Sequence, residues 1–196
     1  MFVIDGDLVA GLPAAHRAPD GQMRTGLSAM TDDELAGIGI YPATVVKPAV
    51  SGTQYYGAPT VEISDGRATV TYPVLDYSAA EIAGMLEKAK SEKKQEIAAA
   101  RYAAEIAGVT VGGFTVRTDR ESQALITGAA LKATQDATYT CRWKTESGFV
   151  TLDAATIIAV ADAVRSHVQG CFDTEYAKCV LIDAAETVED VEAIVW

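Results

Sequence analysis

A chain of 196 residues, 49% hydrophobic and 22% charged, has the composition of a folded protein and room for one large domain or two small ones. Its 27 acidic residues against 16 basic ones leave a net charge of −11, which argues against a phosphate-binding surface and favours solubility. No run of 18 apolar residues predicts a transmembrane helix, and Cys141, Cys171 and Cys179 lack the C-x-x-C spacing of a zinc site or a disulfide scaffold.

The first residues, Met1-Phe2-Val3-Ile4-Asp5, lack a basic start ahead of an apolar run, so no signal peptide is expected. Two short strands should meet at the Asp5-Gly6 turn, because Asp-Gly supplies the positive φ angles that tight hairpins need. Residues 16–30, rich in Gly, Pro and polar groups without periodicity, read as a loop. Thr31 and Glu34 form a capping box, which predicts a short helix ending by Gly37 or Gly39. Residues 40–47 read as extended, fenced by Pro42 and Pro48. Residues 51–59 read as a turn-rich connector. Asp65-Gly66 then centres the clearest hairpin, between residues 60–64 and 67–72.

Residues 78–108 predict one long helix. Ser78 and Glu81 make a capping box, strong helix formers follow, and Gly108 is a natural left-handed stop. Its apolar positions gather at the two ends, whereas residues 90–96 are polar all the way round. That pattern reads most simply as a strut between two packed modules. A sustained coiled coil competes, but a heptad begun at Ile82 sets Glu92 and Glu96 at core positions.

Beyond it, Gly112-Gly113 centres a hairpin. Thr118 with Glu121 is expected to cap a helix running to about Thr134, with Leu125, Ile126, Ala129, Ala130 and Leu131 near one face. Residues 139–144 and 149–152 predict a second hairpin turning at Glu146-Ser147-Gly148. Asp153 caps a helix with Ile157, Val160, Ala161, Val164 and Val168 on one face, which either breaks at Gly170 or continues through Phe172, Tyr176 and Val180. A last helix begins at Thr187 and ends at Trp196. The expected fold is α+β: a small β-rich N-terminal docking module over 1–77, a connector helix over 78–108 and an α+β C-terminal domain over 109–196.

Chemistry is sparse. His167 and Cys171 share a helical turn and form the one candidate thiolate pair, without an oxyanion loop beside it. Asp5 and Asp7 read as turn residues, and the run from Asp32 to Glu34 as a helix-start charge pattern. No catalytic residue, metal ligand set or cofactor site is expected. The aromatic residues Tyr55, Tyr56, Trp143, Phe149 and Trp196 are candidate protein-interaction residues, with filling of two small cores as the competing reading.

Several segments carry a resemblance. DDELAGIGIYP, the Asp-Gly hairpin, YSAAEI and KKQEIAAARYAAEIAG resemble small proteins encoded beside tail fibres in tailed phages and prophages. Residues 97–196 are similar to an uncharacterised C-terminal domain common in those proteins, through R-x-x-x-E-x-x-G, T-D-x-x-S and W-K-x-x-x-G-F. The resemblance implies a non-enzymatic partner of a phage tail fibre or baseplate protein that assists assembly in the host bacterial cytoplasm. It also leaves room for a permanent structural subunit of the virion tail, for retention in the tail and for a homo-oligomer. A host cell-wall hydrolase using His167 and Cys171 is the remaining alternative. Nucleic acid and membrane are not expected partners.

Overall fold

The structure is a computed structural model and describes residues 1–145 and 148–196. The fold is α+β, with two compact units, Met1–Ile82 and Ala83–Trp196.

In the first unit, β1 (Phe2–Ile4), β2 (Asp7–Val9), β5 (Ile40–Val46), β7 (Thr60–Ser64) and β8 (Arg67–Thr71) form one sheet in the order β2-β1-β5-β8-β7. Both Asp-Gly turns form as expected, with positive φ at Asp5, Gly6, Asp65 and Gly66. Alternation along the strands gives the sheet two apolar faces. Val3, Ala68 and Val70 are buried on one, while Ile40 joins Leu27 and Leu35 on the other. The helix α1 (Asp32–Gly37) closes this second cluster, and both bonds of its Thr31–Glu34 capping box are present. β5 pairs parallel with β8, and Pro42 sits within β5 opposite Phe2 rather than fencing it.

Two further expectations fail here. The predicted loop over 16–30 contains a hairpin, β3 (Ala15–Arg17) with β4 (Met23–Thr25). Its support is polar and local: Asp20 accepts from the Gln22 amide (2.9 Å) and pairs with Arg24 (2.7 Å), and Gly21 takes the positive φ. The predicted connector over 51–59 contains β6 (Gln54–Tyr56), which pairs with β9 (Val74–Asp76).

The helix α2 (Ala79–Glu105) starts with the Ser78–Glu81 capping box and stops before Gly108, whose φ is +90°. Residues 83–105 of it cluster with the second unit, so the expected connector is a structural member of that unit. Its polar middle is not wet all round. Lys93 keeps only 13% of its side chain exposed, Lys94 pairs with Asp183 (2.6 Å), and Lys90 Nζ donates to the Asp183 carbonyl (2.9 Å). Asp183 lies in the last turn of α4 (Ala154–Ala184), a turn without a basic residue of its own, so Lys90 and Lys94 of α2 serve the negative end of α4.

In the second unit, β10 (Val109–Val111) pairs with β11 (Phe114–Val116), and β12 (Thr140–Thr145) with β13 (Gly148–Asp153). Both hairpins and α3 (Arg120–Gln135) cover α4. Ile126, Val116, Val160, Val164 and Val168 make one cluster; Ala133, Leu152, Ala154 and Ile157 make the next; Phe114 and Trp143 pack against both. The buried face of α3 runs through Ile126, Ala129, Ala130 and Ala133, whereas Leu125 and Leu131, expected near it, are about 60% exposed. At 3.6 residues per turn they fall outside the stripe. α4 passes through Gly170 without a break, and α5 (Val188–Glu192) ends before Trp196. The predicted turn at Glu146 and Ser147 lies outside the described residues.

Candidate functional site

Two of the resemblance motifs, R-x-x-x-E-x-x-G and T-D-x-x-S, fold into a polar junction where α2 hands the chain to β10 and α3. Arg101 binds both Glu105 and Glu175, the latter at 3.0 Å, and lies over the Phe172 ring at 4.6 Å. Burial works against its charge, but the two carboxylates outweigh this and hold the guanidinium above its ordinary value. Gln123 Nε2 donates to Glu105 (3.3 Å) and to the Thr118 carbonyl (2.7 Å). Thr118, fully buried, donates to the Glu105 carbonyl and accepts from the Gly108 amide (3.0 Å). The expected cap of α3 at Thr118 is therefore displaced by one residue. Thr118 closes the end of α2, and Asp119 caps α3 by accepting from the Ser122 amide (3.0 Å).

This junction positions a groove of about 670 Å³, lined by Thr115 and Arg117 after β10, Ser122 and Leu125 at the start of α3, and residues 142–145 of β12. Among the described residues its lining has three cationic side chains, Arg117, Arg142 and Lys144, and no carboxylate. Arg117 is held by Asp119 (3.1 Å). Arg142 and Lys144 are exposed and make no side-chain ion pair among the described residues. The half-buried Trp143 borders the groove from the core side.

A second surface lies on α4. Phe172, Tyr176 and Val180, spaced i, i+4, i+8, are 41%, 73% and 49% exposed. They form an apolar ladder on one side of the helix, opposite in character to the buried Val160, Val164 and Val168 that precede it.

A family model described as a domain of unknown function (DUF4376) matches residues 88–195. The chain belongs to the DUF4376 family. No curated protein and no solved structure matches it. The DUF4376 region contains the polar junction, the groove and the α4 ladder, and its family description assigns none of them a role.

Of the five aromatic residues singled out in the sequence, two, Trp143 and Phe149, lie in the DUF4376 region, and Trp196 directly follows its last matched residue. Trp143 and Phe149, expected from the sequence as near neighbours across the hairpin, lie on opposite faces of it: Trp143 pairs with Val150 and packs on the core, while Phe149 pairs with Lys144 and is 73% exposed. A shift of one residue in register places them on different faces. Trp196 is 41% exposed. In the first unit Tyr56 is used internally: its hydroxyl donates to the Pro48 carbonyl, and its ring and that of Tyr72 flank the Lys47 ammonium at 4.8 and 4.7 Å. Tyr55 stacks on Tyr77 with ring centroids 4.7 Å apart.

The candidate His167–Cys171 pair, read from the sequence chiefly as helix surface, is not joined by a hydrogen bond. His167 Nε2 donates to the Ala104 carbonyl (3.0 Å), and burial, reinforced by Glu105, pushes the Cys171 thiol above its ordinary pKa, away from a reactive thiolate. Among the described residues no group of three His, Cys, Asp or Glu is placed to hold a metal, and no helix is long and apolar enough to cross a membrane. Sequence reasoning missed the groove cations, although the alternation Arg142-Trp143-Lys144 within a strand is a usable sign of one charged and one apolar face.

Proposed function

We propose that this DUF4376 protein is a non-enzymatic tail protein of a tailed phage or prophage that binds a tail fibre and assists its assembly or attachment. The likeness of its motifs to small proteins encoded beside tail fibres supplies the biological setting, in which the chain acts in the host bacterial cytoplasm. The physical support is the Phe172–Tyr176–Val180 ladder. Three large apolar side chains in line on one helix carry a cost in water that a partner surface removes, at about 25 cal/mol for each Å² covered. Helix-in-groove docking uses anchors at this spacing.

The reading is tested by expressing a tail-fibre protein from the same genome with and without this chain, and with the Tyr176→Glu variant. Co-purification and a higher yield of trimeric fibre with the native chain, both lost with Tyr176→Glu, is the expected result. Equal folding and trimerisation in all three cases overturns it. Stoichiometric presence of the chain in purified particles, read by mass spectrometry, assigns it instead as a permanent tail or baseplate subunit. Its solution mass without the fibre reports whether the ladder is covered by a second copy.

A further inference from the structure

We propose that the groove between the β10–β11 and β12–β13 hairpins seats an extended acidic peptide segment, which adds as a strand to the edge of β12. The inference goes beyond the tail-fibre reading and stands on a different surface from the α4 ladder.

The backbone comes first. Among the described residues β12 is bonded only to β13, in a sheet of two strands. In an antiparallel pair alternate residues turn their N–H and C=O away from the partner, so every second residue of β12 directs both groups outward. The opposite wall has the same character. Gly112 and Gly113 both have positive φ, the geometry of a type I′ turn, which closes on a bonded Val111–Phe114 pair and leaves the Thr115 backbone groups facing away from β10. Thr115 lines the groove. β11 lies beside β12, yet no backbone hydrogen bond joins them among the described residues. Two strand edges thus flank one groove, each with groups that a further strand can satisfy.

Charge selects the occupant. In a chain of net charge −11 the described residues of the groove lining include three cations and no carboxylate, and two of the cations, Arg142 and Lys144, have no acidic partner among the described residues. The side chains of a strand alternate in direction. On one side of the added strand stand Arg142 and Lys144; on the other stand the Trp143 ring and Leu125, which is 60% exposed. The fitting segment therefore alternates acidic and apolar residues, with carboxylates toward the cations and apolar groups toward Trp143 and Leu125.

The test uses the full chain and three short fluorescein-labelled peptides: one alternating glutamate and valine, one alternating lysine and valine, and the first methylated on alternate backbone nitrogens. Fluorescence anisotropy should show saturable binding of the glutamate peptide alone. The Arg142→Glu, Lys144→Glu double variant should weaken it roughly tenfold or more, whereas Lys88→Glu on the exposed side of α2 should leave it within about twofold. Peptide binding should also slow amide hydrogen exchange along β12 in the native protein, a readout that needs no variant. Equal binding of the lysine peptide, or indifference to the charge reversal, overturns the charge argument. Equal binding of the methylated peptide overturns strand addition. Binding of heparin or polyphosphate without the glutamate peptide reassigns the groove to an anionic polymer and also overturns the proposal. Failure of any of these leaves the fibre reading untouched, because that depends on α4.

Discussion

Arg101 shows how much one side chain of the R-x-x-x-E-x-x-G stretch is asked to do. It neutralises Glu105, which is only 3% exposed, reaches across to Glu175 on α4, and covers Phe172. Removing it leaves a carboxylate buried with only the long Gln123 bond (3.3 Å) to its side chain. Breaking a buried pair from one side is far more damaging than its net contribution suggests. Arg101→Ala should therefore lower the stability of the second unit by about 3 kcal/mol, read as a shift in the urea midpoint at unchanged slope. Arg101→Lys should lose less, since it keeps the charge but not the fork that serves two carboxylates at once. R-x-x-x-E-x-x-G and T-D-x-x-S are thus explained as a structural junction: Arg101 with Glu105, the left-handed Gly108, and the paired helix ends at Thr118 and Asp119.

At the scale of elements, helix starts were the most legible feature of the sequence because they are settled within four residues. The capping boxes at Thr31 and Ser78, and the caps at Asp153 and Thr187, all form where the side chains predict them. Asp119 and Asp153 carry a pH signature. Asp119 is held below the ordinary aspartate value of 3.8 by the Ser122 amide and hydroxyl, and Asp153 by the Thr156 hydroxyl and amide. Their unfolded forms take up protons at the higher pH, so the stabilisation is complete above 3.8 and is lost as pH falls through the folded values. Asparagine caps as well as aspartate but does not titrate. The Asp119→Asn, Asp153→Asn variant should lose less thermal stability than the native chain between about pH 5 and pH 3, measured as the drop in Tm over that interval.

Elements decided by distant partners, or by polar rather than apolar patterning, were not legible. The inner face of α2 passes through Lys90, Lys93 and Lys94, where apolar periodicity lapses, and their stems can lie along the protein while the charges find Asp183 and Glu96. The strand β6 becomes a strand through β9, and the hairpin of β3 and β4 depends on Asp20 rather than on hydrophobic alternation. The groove is the same case. Trp143 could be singled out from composition, but Arg117, Arg142 and Lys144 become one set only once β11 lies beside β12.

For the whole molecule, the two units each carry their own core, with Ile40 fully buried in the first and Ile157 in the second. Truncating either to alanine should destabilise its own unit by about 2–5 kcal/mol. In calorimetry Ile40→Ala should lower one transition and Ile157→Ala the other; a single transition shifted equally by both would show that the units unfold together.

The parallel pairing of β5 with β8 has a consequence for synthesis. β5 already has β1 on one side when Val46 leaves the ribosome, but its other side must wait for Thr71, the end of β8. At 5–20 residues per second, the roughly 25 intervening residues take about one to five seconds to make. During that interval the nascent chain displays an apolar, unzipped margin at which a neighbouring polypeptide can dock in place of its own later segment, and early release or crowded translation lengthens the exposure.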